Sequence, residues 1–108
     1  MPSRKKLSSE AIEAALAELP GWELCDGKLH RKYEFPDFTH AFGFMAAAAT
    51  QIQALNHHPD WRNVYGKVDV TLWTHDVGGV TGFDVELAGE LEKVALKLLA
   101  TDRESGTV

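Results

Sequence analysis

The sequence predicts an α+β fold, a four-stranded antiparallel sheet with three helices packed on one face, in the order α-β-β-α-β-β-α. Three features lead to it. Two pairs of extended runs, joined by short turns at Asp26-Gly27 and at Gly66, read as hairpins. Three segments repeat apolar residues at three- and four-residue spacing, the period of a helix with one buried face. An antiparallel sheet whose apolar face is covered by helices is the simplest arrangement for the order helix, hairpin, helix, hairpin, helix.

The first helix opens at Leu7-Ser8-Ser9-Glu10-Ala11-Ile12, where Ser8 is a natural N-cap and Leu7 and Ile12 are spaced as a hydrophobic staple. Ile12, Leu16 and Leu19 continue its apolar stripe, and Pro20-Gly21 ends it. Trp22–Cys25 and Leu29–Phe35 form the first hairpin around Asp26-Gly27-Lys28. In its second strand Leu29, Arg31, Tyr33 and Phe35 make a mostly apolar face. Asp37 caps a long central helix with a stripe through Phe38, Ala41, Phe42, Met45, Ala49, Ile52 and Leu55. That helix must stop near Asn56 or His57, because Pro59 drives His58 toward an extended backbone.

Trp61–Tyr65 and Lys67–Thr74 form the second hairpin, with Val68, Val70 and Leu72 toward the core and Asp69, Thr71, Trp73 and His75 on the other face. Asp76–Gly79 is a loop. Thr81-Gly82-Phe83-Asp84 has capping-box spacing, with Asp84 in the place of the usual Glu, and Val80 and Val85 form a second staple. Leu87, Leu91, Val94, Ala95 and Leu98 supply the buried stripe of the last helix. The polar tail from Thr101 to Val108 is expected to fray.

Composition narrows the function. With 108 residues, 44% hydrophobic and 25% charged, the chain is sized and composed for one folded domain, residues 1–108. The formal charge of -5, with only Arg4-Lys5-Lys6 clustered, argues against direct nucleic-acid binding, which needs an extended basic surface. Cys25 is the single cysteine, so no intrachain disulfide forms and a reducing, cytoplasmic setting is expected. No membrane span is expected, since the most apolar run, Phe42–Ala49, is far shorter than the roughly 20 residues needed. The N-terminal segment leads into an amphipathic helix in place of an apolar signal core.

Of five histidines, His57 and His58 fall at a helix end and His75 just past a strand, where the layout brings both ends to one rim of the sheet. Imidazoles donate and accept protons near neutral pH, so three together suit acid–base chemistry. His30 and His40 fall in no such group and read as solvated side chains. Three histidines also suit catalytic zinc, but the i, i+4 pair of the familiar zinc helices is missing, so no metal is expected. Asp84 is explained by capping alone as readily as by a role in the site. Trp61 and Trp73 offer faces on which a flat heteroaromatic ligand would stack.

The run His57-His58-Pro59-Asp60-Trp61-Arg62-Asn63-Val64-Tyr65, then Thr74-His75-Asp76-Val77-Gly78-Gly79-Val80-Thr81 and Asp84, closely resembles the signature of the pterin-4a-carbinolamine dehydratases. The phenylalanine-rich helix Phe38–Leu55 and Leu87-Ala88 belong to the same pattern, and the similarity spans residues 7 to 100. It implies a cofactor-free hydro-lyase that dehydrates a 4a-hydroxytetrahydropterin, and a homodimer or homotetramer whose sheet extends across subunits. Such an enzyme recycles the pterin of an aromatic amino-acid hydroxylase. It also implies catalytic roles for His57, His58 and His75, with His58, Trp61, Asp84 and Gln53 contacting the pterin and Asp84 orienting His75 or the substrate. Some relatives serve instead as dimerisation partners of a transcription factor, the alternative reading. At Gln53 the family commonly has a glutamate, so a carboxylate base at that place is not available here.

Overall fold

The computed structural model describes residues 2–107, with side-chain surroundings as far as Leu98. Its elements are α1 (Ser9–Ala17), β1 (Glu23–Cys25), β2 (Lys28–Glu34), α2 (Phe38–Leu55), β3 (Asp60–Val64), β4 (Lys67–Leu72) and α3 (Gly82–Thr107), with a 3₁₀ turn at His75–Val77. The order and the antiparallel sheet agree with the expectation. The tail from Thr101, expected to fray, continues α3 as far as Thr107, and Val108 lies outside the described residues.

Local chemistry sets each boundary. The Ser8 hydroxyl accepts the Ala11 N–H at 3.1 Å and the Asp37 carboxylate accepts the His40 N–H at 2.9 Å, each cap being worth about 1 kcal/mol. That backbone bond, together with the His40 ring 2.6 Å away, lowers the Asp37 carboxyl below the usual range. Asp26 and Gly27 take φ of 52° and 73°, so the first turn has two residues and Lys28 joins β2 opposite Cys25. In the second hairpin Tyr65 has φ 53°, and a Cβ on Gly66 would stand 2.5 Å from the Phe35 carbonyl oxygen. That approach lets the Phe35 N–H donate to the Gly66 carbonyl at 2.8 Å, and no side chain fits there.

The sheet order is β1-β2-β4-β3, so the two hairpins meet at the β2–β4 seam. Leu29 pairs with Leu72, Arg31 with Val70 and Tyr33 with Val68, which puts one set of side chains under the helices. Leu29, Val68, Val70 and Leu72 are fully buried there against Phe44 and Ala48 of α2 and Leu87 and Leu91 of α3. Removing each such large apolar side chain from water contributes roughly 1.5–3 kcal/mol.

Arg31 stands on this apolar face because α3 brings a carboxylate to meet it. Glu92 Oε1 accepts from Tyr33 Oη at 2.6 Å, Trp22 Nε1 at 2.9 Å and Arg31 Nε at 3.1 Å. Burial and the adjacent Glu92 push the Tyr33 phenol far above its ordinary range, so it stays a hydrogen-bond donor. His30 and His40 are not plain solvated residues either. The His40 ring meets Asp37, and the His30 ring lies 3.7 Å from Glu23 and 3.5 Å from Asp69 on the uncovered face of the sheet.

Candidate active site

Asn56 decides where the site begins. It closes α2 in the left-handed conformation, φ 50° and ψ 43°, while the His57 N–H donates to the Ile52 carbonyl and the Asn56 N–H to that of Gln53. This pair of bonds is a Schellman closure, which turns the chain sharply at the helix end. The turn sends the His57 ring inward, 8% exposed, and leaves His58 exposed.

Inside, His57 Nε2 meets Asp84 Oδ1 at 2.6 Å. Asp84 is fully buried, and its other oxygen accepts the Thr74 hydroxyl and the Thr81 N–H, both at 2.9 Å. The Thr74 and Thr81 hydroxyls share a bond of 2.7 Å, and Thr81 Oγ1 accepts the Phe83 N–H at 3.2 Å. Thr81 and Asp84 cap α3 reciprocally, the hydroxyl accepting the Phe83 N–H in place of the Asp84 N–H expected of a capping box, and the same carboxylate also holds a histidine. His57, Thr74, Thr81 and Asp84 are the buried polar residues among those described, and none of their fully buried side-chain polar atoms lacks a partner. A buried polar group without a partner costs about 1–3 kcal/mol, so the complete set of bonds fixes one geometry.

An ionised carboxylate only accepts, so Asp84 requires a proton on His57 Nε2. The neutral ring then has a lone pair on Nδ1, the nitrogen left for a ligand. A second-sphere acceptor that selects the tautomer is the usual way a histidine is prepared for proton transfer.

His57 opens onto a cleft of about 210 Å³ lined by Arg4, Asn56, His57, His58, Trp73, Thr74, His75 and Asp76. All three site histidines thus reach one cleft, as the layout of the sheet rim suggested. His75 is not on the strand. β4 ends at Leu72, earlier than expected, and Thr74 forms an isolated bridge with Gly79 that closes the 3₁₀ turn carrying His75. The ring of His75 stacks on Trp73 with centroids 4.2 Å apart and planes 19° apart, and Lys28 Nζ lies 4.0 Å from the same indole.

Three site residues stand differently from expectation. Trp61 pairs with Val70 on the helix-facing side and packs against the core, so the aromatic wall of the cleft is Trp73. Gln53 is exposed on the last turn of α2, does not line the cleft, and makes no side-chain hydrogen bond to His57. Asp84 orients His57, not His75, and no part of it is open to a ligand. Thr74 was missed. Its signal was its place one residue before His75, where strand alternation turns a polar side chain inward.

Among the described residues no three His, Cys, Asp or Glu side chains are grouped to hold a metal ion, and no helix is long and apolar enough to cross a membrane. A larger groove of about 500 Å³ lies between α1 and α3, but its lining is apolar apart from Glu86 and includes no histidine. The three histidines with the chemistry to exchange protons line the smaller cleft.

Comparison with known proteins gives a consistent result. A family model described as pterin 4 alpha carbinolamine dehydratase matches residues 5–94. A protein of Solibacter usitatus named as a pterin-4-alpha-carbinolamine dehydratase is 51% identical over 90 residues, 83% of this chain and 95% of its own. One of the same name from Mesorhizobium japonicum is 52% identical over 91 residues, 82% of this chain and 93% of its own. A crystal structure described as a transcriptional coactivator/pterin dehydratase from Brucella melitensis superposes with a TM-score of 0.82 at 42% identity, covering 84% of this chain and 99% of that one.

Proposed function

Because the chain belongs to the pterin-4-alpha-carbinolamine dehydratase family, a family of hydro-lyases, we propose that it removes water from C4a of a 4a-hydroxytetrahydropterin to give the quinonoid dihydropterin. The observation that carries the reading is the buried Asp84–His57 pair opening onto a cleft shared with His58 and His75. In the reaction the C4a–O bond breaks as the oxygen is protonated. The N5 proton passes to a base, and the N5–H electrons become the C4a=N5 double bond. His57 and His75 carry these two proton transfers, each worth typically about 10²- to 10⁴-fold in rate. His57 works through Nδ1, because Asp84 occupies Nε2. His58 holds and polarises the pterin at the rim, and Trp73, which lines the cleft, gives the flat ring a wall.

The physiological setting that fits is recycling of the pterin cofactor of an aromatic amino-acid hydroxylase in the cytoplasm. A homodimer or homotetramer is consistent with a sheet that ends in β1 and β3 and with Phe38 and Phe42 paired on the exposed side of α2. A second reading, as a dimerisation partner of a transcription factor, has support from the coactivator half of the Brucella protein's description. A binding surface has no use for a buried histidine–aspartate pair, so the enzyme is preferred.

The test is the rate of quinonoid dihydropterin formation from 4a-hydroxytetrahydropterin, before and after exhaustive chelation. Turnover that persists in EDTA is expected, because imidazoles and not a metal move the protons. Activity abolished by EDTA and restored by zinc would replace this mechanism with a metal-dependent one.

Gln53→Glu is expected to be neutral or harmful and to add no acidic limb to the pH–rate profile, since residue 53 stands outside the cleft. A several-fold rate gain with a new acidic limb would show that a carboxylate at that place takes part.

A further inference from the structure

The turn that carries His75 is held from outside by the N-terminal segment. Thr74–Gly79 is bonded mainly to itself, through the Gly78 N–H to the Thr74 carbonyl at 3.0 Å and the Thr74 N–H to that of Gly79 at 2.8 Å. Residues 2–7 run along its outer side. Arg4 Nη1 donates to Asp76 Oδ2 at 3.3 Å, and the Leu7 N–H donates to the Val80 carbonyl at 2.8 Å. The Lys6 stem lies so close over Gly79 that an added Cβ would stand 2.5 Å from its Cε, and Pro2 approaches Gly82 similarly, at 3.3 Å. The Arg4 guanidinium also lies 5.1 Å over the Phe83 ring, whose centroid is 5.7 Å from that of His57.

We propose that Arg4 is a positioning residue for His75, latching the His75–Val77 turn to the cleft through Asp76 as part of a strap formed by residues 2–7. This rests on the reading of the cleft as the site of dehydration. Arg4 lies just before the span matched by the family model, which starts at residue 5, yet it lines the cleft. Its ion pair has side chains 58% and 73% exposed, so it adds little to global stability. What it restricts is the freedom of a glycine-rich turn. Because Asp76 is the neighbour of His75, slack at the pair becomes slack in the ring that must meet the substrate. Small misplacements of reacting groups cost rate far beyond their cost in stability.

The test is Arg4→Gln, read in three ways. The kcat should fall about 3- to 10-fold at low salt with KM nearly unchanged and the melting temperature retained. Raising ionic strength to about 0.5 M should lower the wild-type kcat toward that of the variant, which stays flat, because an exposed pair is screened. The exchanged pair, Arg4→Asp with Asp76→Arg, should recover most of the loss. Hydrogen exchange at the Val77, Gly78 and Gly79 amides should quicken in Arg4→Gln, and this arm decides the latch whether or not dehydration is observed. Unchanged exchange would overturn it. So would an unchanged kcat in an active enzyme, or a rise in KM alone, which would make Arg4 a substrate contact.

Discussion

Replacing His75 by Ala is expected to lower kcat by about 10²-fold or more, the usual loss when a positioned acid or base is removed, with the fold intact. The fold should survive because His75 is exposed and its ring stacks on Trp73, itself a cleft residue outside the core. His57→Ala should lose as much activity but will also cost stability. It removes the donor to Asp84 Oδ1 and leaves a fully buried carboxylate with one oxygen unsatisfied, a penalty of about 1–3 kcal/mol or more for a charge. The two variants therefore separate chemistry from folding. A steady-state assay with thermal denaturation of each protein checks this, and turnover within a few-fold of wild type in both would remove the histidines from the mechanism.

Asp84→Asn is expected to be nearly as damaging without touching the cleft. The asparagine Oδ1 can still accept from Thr74 Oγ1 and the Thr81 N–H, which fixes the amide so that its NH₂ faces His57. Nε2 must then accept, and the ring proton moves to Nδ1. The nitrogen that carried the free lone pair now carries a hydrogen. Forcing the wrong tautomer on a catalytic histidine in this way costs up to about 10⁴-fold in a serine protease, and a loss of about 10²-fold or more is expected here. Nitrogen chemical shifts of His57 should report the exchanged tautomer while far-ultraviolet circular dichroism stays unchanged. Near-normal kcat with the tautomer exchanged would show that His57 does not move a proton.

What was legible in the sequence was whatever short-range geometry determines. Ser8 and Asp37 cap as expected, Asp26-Gly27 makes its turn, and Thr81 and Asp84 cap the last helix, because each needs only residues a few positions apart. Long-range partners were not legible. Nothing near Arg31 in the chain shows why it stands on a mostly apolar strand face, since its partner Glu92 is brought to it by α3 across 61 residues. Capping and a role in the site explained Asp84 equally well, and nothing local says that its second oxygen reaches back 27 residues to His57. The exchange of Trp61 for Trp73 was available in principle. Pairing outward from a two-residue turn at Tyr65-Gly66 sets Val64 against Lys67 and so Trp61 against Val70, on the core side. The 3₁₀ turn at His75 was hidden because the alternation of β4 runs unbroken to Thr74, and only the Thr74–Gly79 bridge reveals that the ladder has ended.

The most direct test of the site is a crystal structure of the protein with a bound 7,8-dihydropterin. The pterin is predicted to lie in the cleft with one face toward Trp73 and with C4a and N5 within reach of His57 Nδ1 and the His75 ring. A pterin seated in the groove between α1 and α3, or in the cleft with C4a turned away from both histidines, would contradict the account.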